Sequence, residues 1–276
     1  MRRLFLATTA LVAATAAQAQ DLAPPPDADI ASASECEAAI KANPALAREQ
    51  AARWSRLGGG TEARLCEAAA LEALGADATA AQLLTGLAQN PNRAMGADLR
   101  ATTYEDAARL WLRLDRPDLA RDALLSANRL TEPEPARFVD LARAEAGLGN
   151  WAAARDALDQ ALALDPGDAG AIALRAATLR HLDDPAAALA DARRALALAP
   201  DQPEALFEEG AALATQGDTE AAAAAWTRLI EAHPDSDLAA PARRNLQRLS
   251  AAAPEPMPQP REQPGPRPRP GVPPRG

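Results

Sequence analysis

The chain has 276 residues, of which 48% are hydrophobic but only 3% aromatic. Alanine and leucine dominate the apolar residues, and such small side chains suit closely packed helices, whereas sheets favour β-branched and aromatic residues. The net charge of −9 disfavours contact with the phosphate backbone of nucleic acids. Composition and charge therefore predict an all-α protein and exclude sequence-independent nucleic-acid binding.

Residues 1–19 have the pattern of a secretory signal peptide. A positively charged start precedes 14 apolar or small residues, from Leu4 to Ala17, which is short of the roughly 20 that span a bilayer. The small-x-small pattern that ends at Ala19 predicts cleavage after that residue and export to the periplasm. A retained N-terminal anchor is the alternative. No later segment is apolar enough to predict a membrane span.

The region after the predicted cleavage site is expected to be disordered over 20–33, and N-terminal helices are predicted over 34–60. The last of these helices, Pro44 to Leu57, is expected to end at the three glycines 58–60.

Cys36 and Cys66 are the only cysteines. An oxidising compartment favours a disulfide between them, which would join the first helix to the one that starts near Thr61. A metal-binding or catalytic role is the alternative for the two thiols. No histidine lies near them in sequence, so no metal site is predicted.

Prolines recur at intervals of 34 residues, at Pro166, Pro200 and Pro234. Two sets of small residues have the same spacing. The first is Ala108, Ala142, Ala176 and Gly210, and the second is Ala120, Ala154, Ala188 and Ala222. The predicted turn residues also recur every 34 residues, at Asp115, Gly149, Asp183 and Gly217. Such a period indicates helical hairpins that stack because no single hairpin can bury its own apolar face.

The residues in this register resemble the tetratricopeptide repeat. The two fullest matches are Leu206, Gly210, Leu213, Ala222, Trp226 and Pro234, and Phe138, Leu141, Ala142, Ala154, Leu158 and Pro166. A third match opens with Tyr104, Ala108, Trp111 and Ala120. The resemblance implies a right-handed superhelix, or α-solenoid, of stacked antiparallel helix hairpins. Arg175 stands where the family commonly has leucine, which predicts looser packing there.

The resemblance divides the chain into repeats. The predicted units are 101–134, 135–168, 169–202 and 203–236, preceded by a degenerate unit, 61–94, whose proline is Pro91. Residues 237–250 are predicted to form a C-terminal capping helix with a polar outer face.

Residues 251–276 are expected to form a disordered tail rich in proline and arginine. It contains ten prolines between Pro254 and Pro274, which favour extended polyproline II over helix or sheet. Its arginines could dock on an anionic surface or a partner, and a solvated spacer is the alternative. The arginines are Arg261, Arg267, Arg269 and Arg275.

By resemblance, a peptide groove is lined by the second, fifth, ninth, twelfth and thirteenth positions of each repeat. These positions include Glu105, Arg109, Leu112, Arg113, Val139, Arg143, Arg180, His181, Glu204 and Phe207. The predicted anchors are the four arginines at 109, 113, 143 and 180, whose guanidinium groups could hold acidic side chains or a terminal carboxylate. Val139, His181 and Phe207 complete the predicted partner-binding set. A solvated face in an arginine-rich protein is the alternative.

Catalytic residues are scarce, because His181 and His233 are the only histidines and Tyr104 is the only tyrosine. We predict neither an enzyme nor a bound cofactor. The expected function is a periplasmic scaffold that binds a polypeptide during assembly or maintenance of the cell envelope. The alternative is a carrier that encloses a small apolar ligand.

Overall fold

The computed structural model describes residues 30–90 and 95–252. These residues form thirteen α-helices and one π-helical turn, and they contain no strand, which confirms the all-α prediction. The chain divides into two compact units, with the boundary between Pro166 and Gly167. The predicted signal peptide, the segment that follows it up to residue 29, Pro91, and the tail from residue 253 lie outside the described residues.

The first unit contains eight helices in consecutive pairs. They are α1 (Ala33–Ala42), α2 (Pro44–Trp54), α3 (Gly60–Ala73), α4 (Asp77–Gln89), α5 (Ala97–Arg113), α6 (Pro117–Asn128), α7 (Pro135–Gly147) and α8 (Trp151–Leu164). Each helix from α3 to α7 packs against the helix before it and the helix after it, as stacked hairpins require. The two sets of small residues account for the close approach, because Ala108, Ala120, Ala142 and Ala154 are all fully buried.

The N-terminal helices are joined to the repeats by a covalent bond. Cys36 on α1 and Cys66 on α3 form a disulfide whose Cα atoms lie 5.9 Å apart, as the sequence predicted. Ile30 is buried beside them, so ordered structure begins before residue 34. The π-helical turn, Ser55–Gly59, separates α2 from α3, and left-handed backbone angles at Gly58 and Gly60 produce the break.

The second unit contains α9 (Ala169–His181), α10 (Pro185–Leu198), α11 (Pro203–Thr215), α12 (Thr219–Ala232) and α13 (Ala239–Ala252). Leu206 of α11 and Leu229 of α12 are fully buried in its core. The capping helix α13 packs on α12 through Ala239 and Ala242, and it continues two residues beyond the predicted end at 250.

The turns inside the hairpins explain part of the 34-residue period. Asp115, Gly149, Asp183 and Gly217 all have positive φ angles, between 53° and 87°. A left-handed residue at this point stops the first helix and lets the chain reverse. Glycine adopts this conformation without strain and aspartate tolerates it better than most residues, which accounts for the residues at these positions.

Gly210 is the point of closest approach between α11 and α12. A Cβ atom added to it would lie 2.5 Å from Nε1 of Trp226. The indole packs over the missing side chain and donates a 3.1 Å hydrogen bond to the carbonyl oxygen of Phe207. The glycine therefore makes room for the largest side chain of this hairpin.

Candidate functional site

The first-helix face is the surface formed by positions two, five, nine, twelve and thirteen of each hairpin. Residues at this spacing fall on one side of an α-helix. In the first unit the face includes Glu105, Arg109 and Arg113 on α5, and Val139 and Arg143 on α7. Because α5 and α7 contact each other, these residues belong to neighbouring parts of one surface.

Arg109 and Arg143 are exposed cations of this face whose ion-pair partners lie on their own helices. Arg109 pairs with Asp106 and Arg143 pairs with Asp140 at 2.6 Å, in each case an aspartate three residues earlier on the same helix. The two arginine side chains remain 57% and 53% exposed. One carboxylate does not use all five N–H donors of a guanidinium, so both side chains can accept a further anionic partner.

Arg113, in contrast, joins three helices. Its guanidinium lies 2.7 Å from Glu72 at the end of α3 and 3.1 Å from Asp77 at the start of α4. These bonds raise the pKa of Arg113, with Glu72 as the larger cause. The predicted anchor is thus part of an ion-pair network that holds α5 against the hairpin before it.

Arg137 is a polar residue that the sequence reasoning missed. It is only 7% exposed and lies 2.5 Å from Glu105 on α5. It also donates to Asn128, to the carbonyl of Thr131 and to the hydroxyl of Thr131. Glu105, a residue of the first-helix face, is therefore neutralised from within the protein. Nothing in the local pattern indicated this, because the partners lie up to 32 residues away.

Val139 lies where the register placed it, but its side chain is only 6% exposed. It packs inside the array of hairpins and offers little surface to a partner. On α7, Arg143 is consequently the residue of the first-helix face that is available to a partner.

The second unit carries the other predicted residues. Arg180 on α9 forms two hydrogen bonds, of 2.6 and 3.1 Å, with the carboxylate of Glu208 on α11. Glu208 is only 5% exposed, so this pair fastens the two first helices of the unit together. Arg180 thus has a structural partner within its own unit.

His181 is exposed at the end of α9, next to Arg180. Its pKa lies below the ordinary value of 6.5, mainly because packing removes water from the ring and also because Arg180 is close. The neutral form of the imidazole is therefore favoured.

Phe207 gives the second unit an apolar first-helix face. Its ring is partly buried and lies 6.5 Å from that of Trp226 at a tilt of 43°. Ala211 and Ala214 follow it on the same side of α11 and are also partly exposed. The face of this unit is thus less charged than the α5 and α7 surface.

The prediction of looser packing at Arg175 is wrong. Arg175 on α9 forms hydrogen bonds of 2.7 and 3.0 Å with both carboxylate oxygens of Asp191 on α10. Asp191 is 8% exposed, so the pair fills the inside of the hairpin where the family commonly has leucine. A bidentate ion pair replaces apolar packing at this position.

Within the described ranges, 30–90 and 95–252, no cluster of three or more His, Cys, Asp or Glu side chains is placed to hold a metal ion. In the same ranges no helix has the length and apolar character that crossing a bilayer requires.

Comparison with known proteins agrees with the fold. Residues 204–236 match the family model described as the tetratricopeptide repeat. No curated protein matches the chain. Among solved structures, the peptide-binding tetratricopeptide protein YrrB is 20% identical, with a TM-score of 0.53 over 77% of this chain and 100% of its own.

Two further structures are similar. MamA is 17% identical, with a TM-score of 0.53 over 62% of this chain and 90% of its own. The Cut9–Hcn1 hetero-tetramer of the APC/C is 16% identical, with a TM-score of 0.59 over 79% of this chain and 43% of its own. At these identities the structures show the fold alone. Together these findings show that residues 204–236 form a tetratricopeptide repeat and that the fold is that of tetratricopeptide-repeat structures.

Proposed function

We propose that this protein is a scaffold that binds a polypeptide through its first-helix faces, and that it does so in the periplasm, in assembly or maintenance of the cell envelope. The location rests on the signal-peptide pattern of residues 1–19. The mode of binding rests on the fold, because YrrB is described as a tetratricopeptide protein with an unusual peptide-binding site.

One observation carries the proposal. Among the arginines of the first-helix faces, Arg113 and Arg180 form ion pairs with other helices. Within the described residues, Arg109 and Arg143 form ion pairs only with an aspartate of their own helix. The protein's own stability therefore does not account for Arg109 and Arg143. They are placed to bind acidic side chains or a terminal carboxylate of the partner.

The exposure of these arginines also limits how much they contribute to the affinity for the partner. An exposed ion pair contributes only about 0–1 kcal/mol, and a partner carboxylate must share each guanidinium with Asp106 or Asp140. Charge complementarity of this kind governs the choice of partner and its rate of association more than its affinity. Apolar contacts have to supply most of the affinity, and Phe207 with its neighbouring alanines is the apolar part of the face in the second unit.

The test is recovery of the partner from periplasmic extract on the immobilised chain, with Arg109→Glu and Arg143→Glu combined. We expect recovery to fall by about tenfold, because two reversed charges repel the groups that the arginines attract. Arg116→Glu with Arg155→Glu is the matched control. These arginines also pair with nearby aspartates and are 52% and 43% exposed, but they lie at the beginnings of second helices. Equal recovery with both double variants would refute the proposed face.

A further inference from the structure

Helix α1 lies outside the 34-residue register, yet it is fastened to a repeat. It contacts both α2 and α3, and the disulfide between Cys36 and Cys66 fixes it against α3. A groove of about 270 Å³ runs between α1 and α3 beside this bond. The extra helix is therefore one wall of a concave site that the repeat alone would not form.

The groove is apolar inside and acidic at its edge. Ile40 of α1 and Leu65 and Ala69 of α3 line it together with the two half-cystines, and Glu37 and Glu62 stand at its rim. Among the described residues, no cationic side chain lines it. Its size suits one or two aliphatic side chains, since sites for whole small-molecule ligands measure roughly 300–1,000 Å³.

The two rim carboxylates differ in how they are satisfied. Glu37 accepts a 2.7 Å hydrogen bond from Lys41 on its own helix, and this lowers its pKa. Glu62 is exposed and forms no ion pair within the described residues. An unpaired carboxylate beside an apolar groove attracts a polypeptide in which a cationic side chain stands next to an apolar one.

The register links this groove to the first-helix face. Glu62, Leu65 and Ala69 hold the second, fifth and ninth positions of the α3–α4 hairpin. Glu105 and Arg109 hold the fifth and ninth positions of the α5–α6 hairpin. Because Arg113 of α5 bonds to Glu72 of α3, the two stretches of the face are adjacent. The α1–α3 groove is therefore the N-terminal end of the proposed binding surface.

We propose that the α1–α3 groove binds an aliphatic side chain of the partner polypeptide that is flanked by lysine or arginine. This rests on the proposed function and adds the chemistry of one partner segment. The partner then carries a basic, aliphatic segment for α1 and α3, and an acidic segment for Arg109 and Arg143. The segment between the predicted cleavage site and Ile30 does not have this chemistry, because its charged residues are the acidic Asp21, Asp27 and Asp29.

The experiment is a titration of the full, isotope-labelled chain, followed by NMR shifts of its backbone amides. The probe is the peptide Gly-Arg-Leu-Leu-Arg-Gly. One comparison peptide has glutamates in place of the arginines, and another has serines in place of the leucines. We expect only the first to shift amides of α1 and α3, and the shifts to weaken with added salt because the rim contact is ionic.

Variants of the groove complete the test. Glu62→Arg should weaken binding of the probe by about tenfold and Glu62→Gln by about threefold, since the first reverses and the second only removes the rim charge. Ala69→Phe, which fills the groove, should abolish it. The control is Glu132→Arg, an equal change of charge at an exposed position before α7.

Each outcome decides the inference. Shifts at α1 and α3 that Glu62→Arg removes and Glu132→Arg leaves unchanged support it. Absent shifts, shifts elsewhere, or equal binding of the glutamate peptide overturn it. The result is independent of partner recovery through Arg109 and Arg143, so failure of the groove and failure of the proposed function are distinguishable.

Discussion

At the residue scale, one missing side chain determines how closely α11 and α12 approach each other. Gly210 lies inside a helix, where alanine is ordinarily more stable than glycine by roughly 0.5–1 kcal/mol. Here the position faces the indole of Trp226, and an added Cβ would lie 2.5 Å from its Nε1 atom. The steric conflict outweighs the gain in helix propensity, because the indole also holds a hydrogen bond to Phe207.

Gly210→Ala should therefore lower the free energy of unfolding by about 1–3 kcal/mol, the usual cost of overpacking a core. The control is Gly86→Ala in α4, where an added Cβ would meet no atom within 4 Å. That change should stabilise the protein by about 0.5–1 kcal/mol through helix propensity. Urea unfolding followed by tryptophan fluorescence measures both, and effects of the same sign would contradict the packing argument.

His181 allows a second test at this scale. Because its folded pKa lies below 6.5, folding disfavours the protonated ring. Its contribution to stability is present above pH 6.5 and is lost as the pH falls through the lowered folded pKa. An NMR titration of the ring should give a midpoint below 6.5, and Arg180→Gln should raise that midpoint. A midpoint at or above 6.5 in the unaltered chain would contradict this account.

The limits of sequence reasoning are clearest among the arginines. The register placed Arg109, Arg113, Arg143 and Arg180 on first helices, and the structure places them there. The sequence could not separate those that join helices from those that face outwards, because the deciding partners lie far along the chain. Arg113 pairs with Glu72, 41 residues away, and Arg180 with Glu208, 28 residues away. The roles of Arg137 and Asp191 were missed for the same reason.

At the element scale, the hairpins were predictable because small residues, turn residues and prolines repeat together. The first and last residues of individual helices were harder to predict. Helix α5 begins at Ala97, four residues before the predicted unit 101–134. Ile30 also extends the ordered structure towards the N-terminus, since it packs beside Cys36 and Cys66 in a small separate core. An apolar residue isolated in a polar, proline-containing segment gives no periodic signal that it will be buried.

Helix α1 should depend on its disulfide. The bond closes a loop with a sequence separation of 30, for which the loop-entropy model gives about 3–4 kcal/mol. Replacing both Cys36 and Cys66 by alanine should lower stability by about that amount and speed hydrogen exchange in α1. Exchange in α11 and α12, which belong to the second unit, is the internal control and should not change. Unaltered exchange in α1 would mean that packing alone holds it.

At the scale of the whole molecule, the two units present different chemistry on their first helices. The first unit offers Arg109 and Arg143 and, at its N-terminal end, the α1–α3 groove with Glu62 at the rim. The second unit offers Phe207 with Ala211 and Ala214, and a neutral His181. A partner that matches these surfaces has charged and apolar segments.

The most direct test of this account is site-specific photo-crosslinking in cells, with a photoreactive amino acid replacing one exposed residue at a time. Positions 102 and 136, the exposed second positions of the repeats on α5 and α7, probe the first-helix face and leave both arginines in place. Positions 153 and 160 probe the exposed side of the second helix α8. We predict that the first two positions capture one and the same polypeptide and that the α8 positions capture none of it. Capture of that polypeptide from α8 as strongly as from α5 and α7 would contradict the central claim that the first helices form the binding surface.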